Sequence, residues 1–140
     1  MYLVDTNIWL ERLLGQAKSD EVGQFLGKTP TSQLFITDFA FHSIGVILTR
    51  LKRKAALLDF VQDLFVDGAV TLISLKPEET RDLVDAADKY NLDFDDAYQY
   101  VAAEKNGLVI VSLDSDLDKT PIGRETPADI VAATKARDTR

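Results

Sequence analysis

Four short apolar runs constrain this chain more than any other feature. They are "YLV" (2–4), "LFIT" (34–37), "VTLIS" (70–74) and "LVIVSL" (108–113), all rich in Val, Ile and Leu. Each is continuous rather than alternating. Continuous runs suit strands buried on both faces, the condition found in a parallel sheet covered by helices. Helical spacing fills the intervals. Phe41, Ile44, Leu48 and Leu51 recur at three and four residues, as do Leu57, Val61, Leu64 and Phe65. Pro77 stands where a helix starts, and Leu83, Ala86, Ala87 and Tyr90 follow on one face. The pattern predicts a further helix from about Asp96 to Asn106, with Gly107 as its stop. "TPADIVAATKA" reads as a short last helix preceded by a weak edge strand. Strands alternating with helices build right-handed βαβ units, and so a three-layer α/β/α sandwich around a central parallel sheet.

Length and composition narrow this further. The 140 residues suit one compact domain spanning 1–140, and 46% hydrophobic with 28% charged residues is an ordinary globular balance. No apolar run approaches the roughly 20 residues of a membrane helix. No basic stretch followed by an apolar one marks a secretory signal. There is no Cys, which excludes disulfides and thiolate-ligated zinc, and the only His is His42. These features fit a cytoplasmic protein.

The formal net charge of −7 opposes binding to phosphate backbones, but the charge is unevenly spread. Arg50, Lys52, Arg53 and Lys54 form a basic cluster, while Asp93, Asp95 and Asp96, then Asp114, Asp116 and Asp118, form two acidic ones. Clustered carboxylates are one way to build a cation site, which reverses the local field once loaded.

In sheets of this kind ligands bind at the carboxyl ends of the strands, near a switch in topology. Asp5 follows the first run, Asp38 the second, and Asp114 the fourth, with Asp116 two residues on. Asp95 and Asp96 open the helix that leads into the fourth strand, and a crossover helix starts at the same sheet edge. Asp5, Asp96 and Asp114 are therefore expected to converge. Convergent carboxylates raise one another's pKa values unless a cation lies between them. Hard oxygen donors suit Mg²⁺ or Mn²⁺, ions that activate water against phosphodiesters.

Each residue also has a purely structural reading. Asp5 is a good cap for the following helix, and Asp95 or Asp96 favours a helix N-terminus through the dipole. "SLDSDLDK" reads equally as a polar loop. The basic cluster reads as a solvated helix face, His42 as a hydrogen-bonded helix residue and Trp9 as core. Three separate segments delivering acids to one edge favour the site.

Taken together, "YLVDTNIWL", "FDDAYQYVAAEKNGLVIVSLDSDLDK" and "TPADIV" resemble the PIN-domain superfamily, in blocks covering nearly the whole chain. The resemblance implies a sheet of four or five parallel strands between helices. It implies a metal-dependent ribonuclease with RNA as substrate, often the toxin of a toxin–antitoxin pair of the VapC-like group with an antitoxin protein as partner, and usually a homodimer. Carried over by position, Asp5 matches the first metal-binding acid, Asp96 the acid before Ala, and Asp114 the acid of the Ser-x-Asp block, with Ser112 as its hydroxyl residue. Asp116 is a further acid at the same place. One position departs. The family's acid on the helix after the second strand, commonly Glu, aligns with Ser43, beside His42. The loss bears most on a second metal.

Three functions compete on these residues. One is a Mg²⁺- or Mn²⁺-dependent nuclease of single-stranded RNA using Asp5, Asp96, Asp114 and Asp116. Another is a PIN-like module that binds RNA or protein through a weakened or inactive site. The third, a phosphoacceptor receiver domain, fits poorly, because Lys76 and Pro77, not Asp, follow the third run.

Overall fold

The computed structural model describes residues 1–138. Four strands, β1 (Tyr2–Val4), β2 (Leu34–Thr37), β3 (Thr71–Ile73) and β4 (Val109–Val111), form one parallel sheet in the order β3-β2-β1-β4. β1 pairs with β2 through Tyr2 and Leu34, and with β4 through Leu3 and Ile110. The chain steps outward from β1 to β2 to β3, then returns to place β4 on the other side of β1. The switch point thus lies between β1 and β4, whose carboxyl ends carry Asp5 and Asp114. Glu125 bridges Val111 in parallel, and its backbone N–H donates to the Ile110 carbonyl at 2.8 Å. This single bridge is all that forms of the edge strand expected before the last helix.

The helices cover both faces. α1 (Thr6–Leu13), α2 (Ser19–Lys28), α3 (Asp38–Arg50), α4 (Lys54–Val61) and α7 (Pro127–Asp138) pack on one side. α5 (Thr80–Tyr90) and α6 (Phe94–Asn106) pack on the other. The strand pleat divides the core accordingly: Val4, Ile36 and Val111 join Trp9, Phe25 and Ile44, whereas Leu3 and Ile110 join Leu83, Ala97 and Val101. Trp9 is core, as expected, and meets Phe60 edge-on at 5.5 Å between ring centroids.

Element ends differ in detail from the sequence pattern. The third and fourth strands are shorter than their apolar runs. Pro77 opens a short 3₁₀ turn, Pro77–Glu79, and α5 starts only at Thr80. The apolar spacing of Leu57 to Phe65 is carried by α4 and a π-helical turn, Gln62–Val66. Just past that segment, Gly68 is the residue that fits, because a Cβ there would meet the Leu64 carbonyl oxygen at 2.7 Å. α6 begins at Phe94, not Asp96, because the Asp93 carboxylate accepts the Asp96 N–H at 2.8 Å and caps it. Gly107 terminates α6 at φ +63°. Among the described residues, no helix is long and apolar enough to cross a membrane.

Candidate active site

Each predicted acid at the switch point leaves a different element. β1 delivers Asp5 and β4 leads through Ser112 and Leu113 to Asp114. The first turn of α6 carries Asp96, since the Asp93 cap turns the chain into the helix just above the same edge. Asp96, Asp114 and Asp116 each place one carboxylate oxygen within 4.8 Å of the other two, a spacing that can hold one ion. Asp5 lies outside that trio. Asp114 and Asp116 are held by their own loop: the Asp116 N–H donates to Asp114 Oδ1 at 2.9 Å, capping the short turn Ser115–Lys119.

The Asp5 carboxylate is saturated with donors. Oδ1 accepts from the Thr6 N–H at 2.8 Å and from Gln99 Nε2 at 2.9 Å, and Oδ2 accepts from Ser112 Oγ at 2.8 Å and from Asn7 Nδ2 at 3.4 Å. Asp5 is therefore both the cap of α1 and a buried member of the edge, only 7% exposed. Ser112 couples it to the trio, because the same hydroxyl accepts the Asp114 N–H at 2.9 Å. Four donors thus fix the direction of the Asp5 carboxylate.

Asp96 has no such support. It is 8% exposed, its backbone N–H is spent on the Asp93 cap, and its carboxyl faces Asp114. Burial above all, then the shared hydrogen bond and charge of Asp114, and the charges of Asp93 and Asp5, push its pKa up to about 7. Burial likewise raises Asp95, helped by Asp93 and Asp5. A carboxyl whose pKa is raised by burial and by neighbouring carboxylates is a candidate for a functional site.

The other singled-out residues lie elsewhere. Asp38 is exposed at the end of β2, where its Oδ1 accepts from Tyr98 Oη at 2.7 Å. Asp118 pairs with Arg124 at 3.2 Å, and Lys119 reaches Asp116 at 3.3 Å. His42 is exposed and lines a cavity of about 460 Å³ with Phe41, Val46 and Leu57, on the α3–α4 flank. Ser43 is half-buried on α3, beside the buried Ile44. The basic cluster follows the far end of α3. That helix starts at the carboxyl edge and runs back for 13 residues, roughly 20 Å, so Arg50 to Lys54 stand well away from the acids.

Three residues of the site have no role in the sequence reading. Gln99, 1% exposed, donates to Asp5 and accepts from Thr37 Oγ1 at 2.8 Å, and Thr37 in turn caps α3 by accepting the Ala40 N–H at 3.0 Å. Asn7 donates to Ser112 Oγ at 3.2 Å and accepts the Leu113 N–H at 3.1 Å, pinning the exit of β4 to the start of α1. A glutamine in an otherwise apolar stretch of α6 is the signal that was present for Gln99. For Thr37 it was a hydroxyl residue three before Ala40 at a helix start.

A parallel sheet sandwiched by helices, with carboxylates gathered at the β1–β4 switch point, defines the class. The PIN domain family model matches residues 2–123, and the chain belongs to that family. Comparison of the sequence with curated proteins finds no match. Solved structures share the fold at low identity. A toxin–antitoxin complex from Klebsiella pneumoniae aligns with a TM-score of 0.73 at 20% identity, covering 91% of this chain and 98% of that one. The Mycobacterium tuberculosis VapC20, a Sarcin-Ricin loop cleaving toxin, aligns with a TM-score of 0.70 at 15% identity over 83% and 92%. FitAcB from Neisseria gonorrhoeae aligns with a TM-score of 0.72 at 17% identity over 91% and 98%.

Proposed function

We propose that this PIN-domain chain is a divalent-metal-dependent endoribonuclease acting on single-stranded RNA, and the toxin of a toxin–antitoxin pair. The observation that carries the reading is the meeting of Asp96, Asp114 and Asp116 at the switch point, with Asp96 pushed up to about 7 by burial and by Asp114 beside it. Three hard oxygen donors, without nitrogen or sulfur, fit Mg²⁺ or Mn²⁺. Bound there, such an ion activates water and offsets charge on the attacked phosphate. Asp96, Asp114 and Asp116 would hold it. Asp5 adds negative charge from the adjacent position, and Gln99, Asn7 and Ser112 fix its direction. Likeness in fold to a toxin of a toxin–antitoxin complex supports an antitoxin partner.

Ser43 favours a second reading, a module that binds RNA or protein without cutting it. With Ser in place of the acid, the site has one charge fewer than its relatives. Incubating the purified chain with labelled single-stranded RNA across Mg²⁺ and Mn²⁺ concentrations separates the two. Metal-dependent cleavage that is lost in Asp96→Asn and Asp5→Asn supports the nuclease. Binding without cleavage at any metal concentration supports the module.

A further inference from the structure

Three aromatic rings stand together on the carboxyl edge, beside the acids but outside them. Phe94 opens α6 two residues before Asp96 and is 56% exposed. Tyr98, one turn on, lies 6.3 Å from Phe94 between ring centroids at an interplanar angle of 42°. Phe39, the residue after Asp38, lies 5.9 Å from Tyr98 at 43°. Tyr98 is the fixed middle of the row: its hydroxyl donates to Asp38 Oδ1 at 2.7 Å and accepts the Leu75 N–H at 2.9 Å. The ring is thereby tied to the ends of both β2 and β3. Phe94 caps the row with its outer face open to solvent.

Placement follows from topology. Phe39 and Leu75 follow β2 and β3, whereas the acids follow β1 and β4. The N-terminal turn of α6 straddles the two halves, with Phe94 and Tyr98 on one flank and Asp96 on the other. Neighbouring strands lie about 4.8 Å apart, so the row begins roughly 5–10 Å from the carboxylates. That is a nucleotide's reach.

We infer that Phe94, set against Tyr98 with Phe39 on that ring's other contact, is a stacking platform for an unpaired base of a single-stranded RNA whose neighbouring phosphate lies at the carboxylates. The inference rests on the nuclease reading for the identity of the strand and deepens it. A chain of net charge −7 cannot draw a polyanion by charge near its own acidic cluster, and its basic cluster lies at the opposite end of α3. Stacking supplies affinity that does not depend on charge, and it requires a base free of a duplex. A tilted, splayed row with one open end suits a single base better than a protein helix, which needs a continuous groove.

The test measures binding apart from cleavage. The full chain is titrated in Ca²⁺, which loads the carboxylates, against a fluorescent single-stranded RNA and against an abasic ribose-phosphate oligomer of the same length, by anisotropy. Expected is tighter binding of the RNA by on the order of tenfold, lost in Phe94→Ala and recovered in Phe94→Trp, with binding of the abasic oligomer unchanged. Equal affinity for the two oligomers, or Phe94→Ala binding RNA as wild type does, overturns the platform. So does a Phe94→Ala variant that changes the oligomer mass in solution while RNA affinity stays constant, which would give this face to a second copy of the chain. Cleavage in Mn²⁺ is read separately. RNA bound through Phe94 but never cut sinks the nuclease reading and leaves the platform standing. RNA cut equally by wild type and Phe94→Ala does the reverse.

Discussion

Gln99 Nε2 donates to Asp5 Oδ1 at 2.9 Å across 94 residues of sequence, in a contact closed to solvent. The other end of the same amide accepts the Thr37 hydroxyl at 2.8 Å. One side chain on α6 thus joins the ends of β1 and β2 and sets the direction of the first acid. Replacing it by leucine keeps the volume but leaves Thr37 without its acceptor and Asp5 with one donor fewer. Gln99→Leu is expected to cost about 1–3 kcal/mol, the penalty of buried polar groups left unpaired, and to lower the melting temperature by several degrees. Gln99→Glu keeps an acceptor for Thr37 but sets a second carboxylate against Asp5. It should be the more damaging change at pH 8, and recover toward pH 5. Thermal melts at the two pH values check the order.

The proton on Asp96 makes stability depend on pH. Its pKa rises on folding from 3.8 to about 7. Between those values the folded chain keeps a proton that the unfolded chain has released, so stability falls as pH rises through this window. Below it the contribution is fully present. Asp96→Asn removes the ionisation. In chelator, the urea midpoint of the wild type is expected to decline from pH 4 to pH 7 more steeply than that of Asp96→Asn. Parallel profiles would remove the strained carboxyl from the account.

Metal binding must displace that same proton. Affinity for Mn²⁺ is therefore expected to fall about tenfold per pH unit below pH 7, the slope of one proton released. Asp114→Asn should weaken the ion but not flatten the slope. Asp114 supplies the second and third causes of the shift at Asp96, its hydrogen bond and its charge, but burial, the first, stays. Calorimetric titration with Mn²⁺ at pH 5, 6 and 7 measures both slopes.

Gly107 aims β4 at the site, since the chain leaves α6 there at φ +63° and reaches Asp114 seven residues later. Nothing lies within 4 Å of a Cβ built at this position. The cost of Gly107→Ala is then the left-handed backbone alone, about 1–2 kcal/mol. Gly107→Asn should recover part of it, because Asn tolerates that conformation. Chemical denaturation of the three proteins ranks them; an alanine variant as stable as wild type would mean the turn relaxes.

The strands were legible because buried parallel strands have to be apolar on both faces, and the acids because three separate segments ended on them. α2 left no comparable trace. Its "SDEVGQFLGK" carries two glycines, and it is a helix because Val22 and Phe25 are buried in the core shared with Trp9. The π-helical turn after Val61 was equally silent, since its apolar spacing suits an α-helix as well. Within the site, the sequence named the acids but not their grouping. Asp116 meets Asp96 and Asp114, whereas Asp5 faces four donors, and side-chain direction of that kind is fixed by partners distant in sequence, Gln99 and Ser112 foremost.

Ser43 stands on the helix where relatives are expected to carry an acid and is half-buried, while His42 beside it is exposed and lines the cavity on the α3–α4 flank. Its partial burial, against the exposure of His42, makes Ser43 the position to test. Hard-cation affinity follows the number of ligand charges, so Ser43→Glu is expected to lower the metal concentration needed for binding on the order of tenfold. It should add no benefit in chelator, where a further half-buried carboxylate brings charge with no cation to offset it. The unfolding midpoint is therefore expected to drop without metal and to rise above wild type with saturating Mn²⁺, because an ion that binds only the folded chain stabilises it. Cleavage of single-stranded RNA against Mn²⁺ concentration should shift in the same direction. A variant that folds but needs as much Mn²⁺ as wild type would place Ser43 outside reach of the ion, leaving Asp96, Asp114 and Asp116 as a one-metal site with Asp5 as its only further charge.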